Sequence, residues 1–377
     1  MAGLYLHIPF CKQACHYCDF HFSTNQEKKS EIIHAFVREI ELQKDYLNDE
    51  PINTIYFGGG TPSLLSSEEL RSLMNAIQKY FSVSPSSEIT LEANPDDLTK
   101  EKLLLLKESG INRLSIGIQS FDDEVLQFLN RAHDSMAAEN CVELARKAGF
   151  DNISIDLIYA IPNQNHRAWA KNIERGLDLK PNHISSYSLT IEEKTAFGRW
   201  AASGKLKVMN DEFAAAQLIT LVDKLEENGF EQYEVSNFAL PGFQSQHNSS
   251  YWKQQKYLGI GPSAHSYNGL SRQFNISNNH LYLKSIEKNS VPATLEVLTQ
   301  VEMINDYLLT TLRTSWGANL TTLEKDFSFN LMHDHKSYIN SLVTKGLAQI
   351  ENGNLILTKP GKLFADKIAS DLFVVTS

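Results

Sequence analysis

Residues 9–20 read PFCKQACHYCDF and place three cysteines, Cys11, Cys15 and Cys18, in the spacing C-x-x-x-C-x-x-C. Thiolate is the soft ligand that iron–sulfur clusters require, so three neighbouring thiolates can hold three irons of a 4Fe–4S cluster. The fourth iron then has no protein ligand, and a small molecule can coordinate it and receive an electron. The pattern therefore predicts a redox cluster with an open iron in this loop.

Two other uses of these cysteines stay open at this point. A structural zinc site needs four ligands, and His7, His16 or His21 could complete one. A disulfide is disfavoured because no signal peptide is recognisable, which predicts a reducing, cytoplasmic compartment. Cys141, the remaining cysteine, falls in an amphipathic helical stretch, and we expect it to be a small buried apolar residue.

The composition is that of an ordinary globular protein. The chain has 377 residues, of which 42% are hydrophobic and 21% charged, enough for one large domain and a smaller one. It contains no run of about 18 apolar residues of the kind that spans a membrane. Its formal net charge of −10 argues against a nucleic-acid-binding protein, which needs a basic face.

Short apolar runs alternate with amphipathic helical patterns in the first 235 residues. One helix is predicted from about Ser30, and another begins at a capping box formed by Ser66 and Glu69. Six β–α units predict a parallel sheet with right-handed crossovers, and both an open three-quarter barrel and a doubly wound sheet fit. The predicted strands cover residues 4–8, 54–57, 88–92, 113–118, 153–158 and 183–189.

The pattern of predicted strands and helices divides the chain into three parts. Residues 1–235 carry the β–α repeats, and residues 236–290 are expected to form an irregular connecting segment. Residues 291–377 read as a small domain of helices that ends in a hairpin at Asn352-Gly353 and one more helix. The pattern is typical of a winged-helix-like appendage.

Polar groups follow the predicted strands where each of them ends. A triple glycine at 58–60 allows backbone to approach a ligand closely, while Glu92 and Asp156 are acceptors for ligand hydroxyl or ammonium groups. Ligands of parallel sheets bind at the carboxyl ends of the strands. We therefore expect one binding mouth beside the cysteine loop.

Together these motifs resemble the radical S-adenosylmethionine (SAM) enzymes, and among them the group of oxygen-independent coproporphyrinogen III oxidase (HemN). The resemblance covers most of residues 4–270 and implies a partial (β/α)6 barrel with a C-terminal helical, winged-helix-like domain. It also implies that SAM binds the open iron and is cleaved by one electron to methionine and a 5′-deoxyadenosyl radical. The motifs are the cysteine loop, GGGTP at 58–62, EANP at 92–95, QSF at 119–121, NR at 130–131 and DLIY at 156–159.

The resemblance also implies roles for single residues. Four positions, Tyr5, Tyr17, Gly59 and Glu92, match contacts of the cluster-bound SAM. Further positions match residues that line the SAM sites of the oxidase, including a second SAM: Gly60, Thr61, Gln119, Arg131, Asp156 and Thr190.

Three features favour the haem chaperone group of this superfamily (HemW) over the oxidase. The oxidase has a longer segment before its cluster and a fourth cysteine where this chain has Phe20, and HNSSYW at 247–252 resembles the chaperone motif HNxxYW. The implied function is to bind haem or porphyrin and deliver haem to acceptor haemoproteins, with a homodimer as an option. The alternative is the oxidase reaction, radical decarboxylation of the propionate side chains of coproporphyrinogen III.

Within HNSSYW, His247 is the predicted haem ligand, because neutral imidazole is the common axial ligand of haem iron. Tyr251 and Trp252 could then stack on the porphyrin. The alternative is a packed loop in which His247 only satisfies neighbouring polar groups. His265, in the glycine- and proline-containing loop at 261–266, is the rival ligand.

Overall fold

A computed structural model describes residues 2–162 and 164–375 of the chain. Its strands form one large sheet and a small C-terminal one. The strands are β1 (Ala2–Ile8), β2 (Ile52–Gly59), β3 (Val83–Ala93), β4 (Arg113–Gln119), β5 (Asn152–Tyr159), β6 (His183–Ser188), β7 (Glu231–Glu234), β8 (Asn237–Ala239), β9 (Lys256–Ile260), β10 (His265–Tyr267), β11 (Ser271–Asn275), β12 (Ala293–Val297), β13 (Ala318–Asn319), β14 (Ala348–Glu351) and β15 (Asn354–Leu357).

The helices connect the parallel strands and build most of the C-terminal part. They are α1 (Lys29–Leu42), α2 (Ser67–Tyr80), α3 (Lys100–Glu108), α4 (Asp123–Phe128), α5 (Ser135–Lys147), α6 (His166–Asp178), α7 (Ala196–Ala202), α8 (Asp211–Glu227), α9 (Gln246–Trp252), α10 (Asn279–Glu287), α11 (Gln300–Leu312), α12 (Leu320–Asp326), α13 (Leu331–Asp334), α14 (Lys336–Thr344), α15 (Lys359–Lys362) and α16 (Ala365–Asp371).

The large sheet has the order β12-β11-β10-β9-β1-β2-β3-β4-β5-β6-β8-β7. Strands β1 to β6 are parallel and lie side by side in chain order. A doubly wound sheet would reverse its order at a switch point, so the structure selects the barrel-type alternative. The sheet does not close, because β7 and β12 are two separate edges. All six predicted strands are confirmed.

Side chains alternate between the two faces of each strand. In β1, Leu4, Leu6 and Ile8 are fully buried in the main hydrophobic core. Tyr5 and His7 lie on the opposite face, which is the inner face of the sheet, where the ring of Tyr5 lies near that of Tyr56 from β2. Polar side chains of the inner face are therefore available for a site.

Local signals in the sequence are confirmed where they depend on short-range chemistry. Ser66 and Glu69 form both bonds of the capping box at the start of α2. The hairpin between β14 and β15 turns at Asn352 and Gly353, whose φ angles are 50° and 78°, as a type I′ turn requires. That hairpin joins β13 in the small C-terminal sheet.

The segment 236–290 differs from the expectation of an irregular connection. It contains α9, α10 and four strands, β8 to β11, of which β9 pairs in parallel with β1 and extends the large sheet. Its short strands bury polar side chains, including Gln273 and Asn275. Asn275 donates to Glu39 of α1 at 2.6 Å, so partners distant in sequence satisfy residues that an apolar pattern would miss.

The C-terminal helices and the small sheet enclose a hydrophobic core of their own, which runs from Ile304 to Leu372. Cation–π contacts join α9 to this region, with Arg313 over the ring of Trp252 and Lys253 over the ring of Trp316. The three-part division at residues 235 and 290 stays a prediction. Over the described residues, none of the helices combines the length and apolarity needed to cross a membrane.

Candidate functional site

The cysteine loop leaves the end of β1 and folds back on itself before α1 begins. The amide of Cys11 donates to the carbonyl of Ser23 at 3.1 Å, which closes the loop. Cys11, Cys15 and Cys18 are free thiols with partly accessible side chains, whereas Cys141 is buried in α5. The loop therefore gathers three of the four cysteines at one end of the sheet, as the spacing predicts.

The environment of these thiols fits a cluster rather than a single metal ion. Burial raises the pKa of Cys11 to about 11 and that of Cys18 to about 12, so a bound cation is needed to hold them as thiolates. No three His, Cys, Asp or Glu side chains of residues 2–162 and 164–375 converge on one ion. Convergence is not required in a 4Fe–4S cluster, where each thiolate binds a different iron.

Each histidine that could complete a zinc site has at least one ring nitrogen in a hydrogen bond, and none of them converges with the cysteines on one ion among the described residues. Nε2 of His7 donates to the carbonyl of His21 at 2.8 Å, and Nε2 of His21 bonds to the side chain of Asn279 at 2.7 Å. Nδ1 of His16 donates to the carbonyl of Phe128 at 2.9 Å. The geometry gives no support to the zinc alternative.

The glycine turn after β2 packs directly against the cysteine loop. Gly59 has a φ of +103°, and a Cβ there would lie 2.6 Å from Nδ1 of His7. A Cβ on Gly60 would lie 2.6 Å from the carbonyl oxygen of Phe10. Only glycine permits this approach, which brings the backbone of β2 next to Cys11 and the side chain of Thr61.

Two carboxyl groups lie on the inner face beside this turn. Oε1 of Glu92 accepts from the hydroxyl of Tyr56 at 2.8 Å, and Oε2 accepts from the amide of Gly59 at 3.2 Å. Asp156 accepts from Ser115 at 3.3 Å. Burial raises the pKa of Glu92 to about 7 and that of Asp156 to about 6. A cationic ligand group would stabilise both carboxylates.

Arg131 ties the cysteine loop to the strand ends. Its Nη1 lies 3.4 Å from Sγ of Cys15 and 3.4 Å from the hydroxyl of Tyr17. Its Nη2 donates to Oδ1 of Asn94 at 2.6 Å and to the carbonyl of Gly117 at 2.7 Å. Its buried Nε has no hydrogen-bond partner in the described part of the chain, so this guanidinium retains one donor for a ligand.

Two predicted residues stand apart in their geometry. Gln119 ends β4 with a φ of 67°, and its amide nitrogen lies near Gly117, beside Arg131. Thr190 is exposed, and its hydroxyl donates to the carbonyl of Ser188 at 3.4 Å. The ten predicted SAM residues lie in the cysteine loop, on the inner face or after the carboxyl ends of the parallel strands, the end of the sheet that we call the mouth, and contacts bring most of them together. Among the described residues, Thr190 makes no hydrogen bond to the other nine.

His247 adopts the arrangement of the packed alternative. It is 1% exposed, its Nδ1 bonds to the hydroxyl of Thr54 at 2.7 Å, and its Nε2 bonds to the hydroxyl of Tyr251 at 2.8 Å. Its ring is stacked on that of Tyr56, with centroids 4.9 Å apart. Burial lowers its pKa to about 3. Ligation of haem by His247 stays a prediction. Because both ring nitrogens are hydrogen-bonded, one of these bonds would have to break before the nitrogen could bind iron.

Tyr251 and Trp252, the aromatic residues of the HNSSYW motif, also pack against neighbouring side chains. Tyr251 packs edge-on against Tyr257, with centroids 4.6 Å apart, and Trp252 lies under Arg313. They belong to the opposite end of the barrel, which we call the floor and define by Thr54, Glu88, Arg113, His183 and His247. The two ends are joined by the aromatic rings of Tyr5, Tyr56 and His247.

Sequence reasoning missed Tyr56 as a site residue and named Asn94 only as part of the EANP motif, without a role of its own. Tyr56 bonds to Glu92, and Asn94 bonds to Arg131 and, through its Nδ2 at 3.4 Å, to Thr61. The period of a strand could have identified Tyr56, since it lies two residues before Gly58 and so on the same face. Asn94 follows Glu92 by two residues and could have been identified in the same way.

Comparison with known proteins places these features in a family. The profile of the Radical SAM superfamily matches residues 5–175. The heme chaperone HemW of Bacillus subtilis is 36% identical over 372 residues, covering 98% of each chain. The heme chaperone HemW of Lactococcus lactis is 35% identical over 357 residues, covering 95% of this chain and 93% of the relative.

A solved structure shows the same fold. Coproporphyrinogen III oxidase (HemN) from Escherichia coli, described as a radical SAM enzyme, superposes with a TM-score of 0.85 over 99% of this chain and 90% of that one, at 23% identity. The fold is therefore the partial (β/α)6 barrel of the radical SAM proteins with a C-terminal helical region. The chain belongs to the HemW family within the radical SAM superfamily.

Proposed function

We propose that this protein is a haem chaperone, which binds haem and delivers it to acceptor haemoproteins while holding a 4Fe–4S cluster and SAM at the mouth. The observation that carries this proposal is relatedness over nearly the whole length, 98% of both chains, to a relative named as a heme chaperone. The oxidase shares the fold but is only 23% identical, so its activity does not transfer.

Different residues of the mouth would bind the cluster and SAM. Cys11, Cys15 and Cys18 would bind three irons, and the Gly59–Gly60 turn would let backbone approach the ligand of the fourth. Glu92 would accept from the ligand ammonium group, which would return this carboxyl to its charged form. When bound, the cluster supplies single-electron reduction of SAM.

Arg131 has a different task in this arrangement. Its guanidinium contacts Sγ of Cys15 and is fixed by Asn94 and Gly117, so it would stabilise negative charge on the thiolate side of the loop. Tyr17 shares Nη1 of the same arginine. These contacts position the loop before any cofactor is bound.

Phe20 separates the chaperone from the oxidase alternative at the site itself. Its side chain is 70% exposed at the position where the oxidase group has a fourth cysteine. A large exposed apolar side chain beside the cluster is suited to contact with an apolar ligand such as a porphyrin. Haem-accepting proteins, cytoplasmic location and a homodimer remain parts of the proposal.

The test is anaerobic incubation of cluster-reconstituted protein with coproporphyrinogen III, SAM and a reductant, with product porphyrins separated by chromatography. We expect no decarboxylated product from a preparation with full iron and sulfide content. Repeated turnover to protoporphyrinogen would establish the oxidase reaction and contradict the chaperone proposal.

A further inference from the structure

One histidine of the mouth is not committed to any bond. His265 is exposed at the start of β10, and its imidazole makes no hydrogen bond within residues 2–162 and 164–375. By contrast, both ring nitrogens of His7 and of His247 are hydrogen-bonded, and His21 has its Nε2 bonded to Asn279. An imidazole without hydrogen bonds can bind an incoming iron and turn toward it without the loss of an existing contact.

The pairing of the strands places His265 on the inner face of the sheet. Tyr267, two residues further along β10, pairs with Tyr257 of β9, and Tyr257 packs against Tyr251 inside the barrel. Because strand residues alternate between faces, His265 shares this inner face. It lies at the end of the strand that reaches the mouth, near enough to His7 for the charge of His265 to contribute to the lowered pKa of His7.

Apolar side chains that are open to solvent lie near this imidazole. His265 pairs with Phe274 of β11, and the centroids of their rings are 5.7 Å apart. Phe274 is 38% exposed, and Ile276, two residues further along the chain, is 37% exposed. Large apolar side chains that remain accessible side by side mark a binding surface.

The cysteine loop borders the same surface. His21 bonds to Asn279 at 2.7 Å, three residues after Ile276, so the loop is tied to the chain that carries the apolar side chains. Phe20, immediately before His21, is the exposed aromatic residue of that loop. An unbonded imidazole flanked by exposed aromatic and aliphatic groups is the chemistry that haem requires of a protein.

We propose that His265 is the iron ligand of the haem cargo, and that Phe20, Phe274 and Ile276 contact the porphyrin at the open side of the mouth. This inference rests on the proposed haem-carrying function. It places the haem on the inner face next to the cysteine loop rather than at the floor, where the HNSSYW motif packs. An exposed site also suits a cargo that must leave again.

The experiment is titration of the full-length, cluster-reconstituted chain with hemin, read as difference spectra against the haem-free protein. We expect H265A to weaken hemin binding at least tenfold and to change the Soret band, and added imidazole to restore the wild-type spectrum. H280A, which removes the exposed histidine at the start of α10, is the matched control and should leave both quantities unchanged. Both side chains are exposed, so circular dichroism should report the same folded state.

Substitution of the apolar side chains distinguishes the proposed iron ligand from the residues that contact only the porphyrin. F274A and F20A should weaken hemin binding about threefold to tenfold, as expected from the lost apolar contact, while the Soret position stays that of the wild type. H265A with wild-type affinity and an unchanged Soret band would overturn the assignment of the ligand. A wild-type chain that binds no hemin would instead contradict the proposed function itself.

Discussion

The mouth and the floor of the barrel contain the same kinds of residue but use them differently. At the floor, His247 has both ring nitrogens bonded, and the carboxylate of Glu88 accepts from the amides of Gln246 and His247 at 3.1 Å. At the mouth, three thiols are not disulfide-bonded, Glu92 accepts from a hydroxyl and an amide, and the imidazole of His265 makes no hydrogen bond among the described residues. Histidine therefore indicates a ligand site only where its hydrogen-bonding capacity is still unused.

The largest effect should follow from removal of a mouth cysteine. C15A should abolish the reducible cluster, because two thiolates of this loop cannot replace three, while the protein stays folded since Cys15 is partly accessible. Iron content and visible absorbance after reconstitution measure this. C141A is the control, since Cys141 is buried in α5 and should be dispensable for the cluster. A full cluster signal in C15A would contradict the ligand assignment.

At the floor, H247A should reduce stability rather than cofactor binding. The substitution leaves the hydroxyls of Thr54 and Tyr251 unpaired and opens a cavity, so we expect a loss of about 2–4 kcal/mol in the free energy of unfolding. Denaturant titration of the apoprotein gives this number. An undiminished free energy of unfolding together with lost hemin binding would contradict the packing role and would indicate that His247 binds the haem iron.

The buried imidazole of His247 also has a signature in pH. Its pKa is about 3 in the folded chain against 6.5 for the free group, so the unfolded chain binds a proton first as pH falls. Its contribution to stability is complete above pH 6.5 and is lost below it, by up to about 1.4 kcal/mol per pH unit. H247Q should therefore lose less stability than the wild type between pH 7 and pH 5 in parallel denaturant titrations. Equal losses would show that His247 is not held neutral.

Glu92 at the mouth and Glu88 at the floor form a matched pair of carboxylates. E92Q should weaken SAM binding about tenfold, since a hydrogen bond to a charged group contributes roughly 1.5–3 kcal/mol and the variant replaces the anionic acceptor. E88Q, at the floor, should lower stability and leave SAM affinity unchanged. Isothermal titration with SAM under anaerobic conditions measures both. Equal SAM affinities in E92Q and the wild type would remove Glu92 from the site.

The smallest effect is expected at Thr190. Because its side chain is exposed and bonds to Ser188, T190A should change SAM affinity less than twofold. T61A is the comparison, since Thr61 is 2% exposed and contacts Asn94 beside Cys11, and it should weaken SAM binding clearly more. A large loss in T190A would show that Thr190 reaches the ligand in a state with SAM bound.

The sequence predicts best what short-range chemistry decides. The six parallel strands, the capping box at Ser66 and the turn at Asn352-Gly353 all follow from periodicity, hydrogen bonding and backbone preference within a few residues. The cysteine spacing likewise identifies the loop, which the fold then places at the end of β1. Prediction of the strand ends as a shared mouth succeeds because parallel strands end on one side.

The parts that escape prediction depend on partners far along the chain. Strand β11 carries buried Gln273 and Asn275, whose partners Gln43 and Glu39 lie more than 200 residues earlier, so no apolar alternation reveals them. His247 finds Thr54 at a separation of 193 residues, and its burial is invisible in the motif. Only the assembled sheet shows that His265, rather than His247, keeps a free ring nitrogen.

The most direct test of haem carriage is transfer from the loaded protein to an acceptor. Hemin-loaded, cluster-containing chain would be separated from free hemin, mixed anaerobically with apomyoglobin, and followed by the Soret band of the acceptor. The account predicts a saturable complex with its own Soret band that decays as holomyoglobin forms. A chain that shows no defined hemin complex, or one whose hemin is never passed to the acceptor, would contradict it.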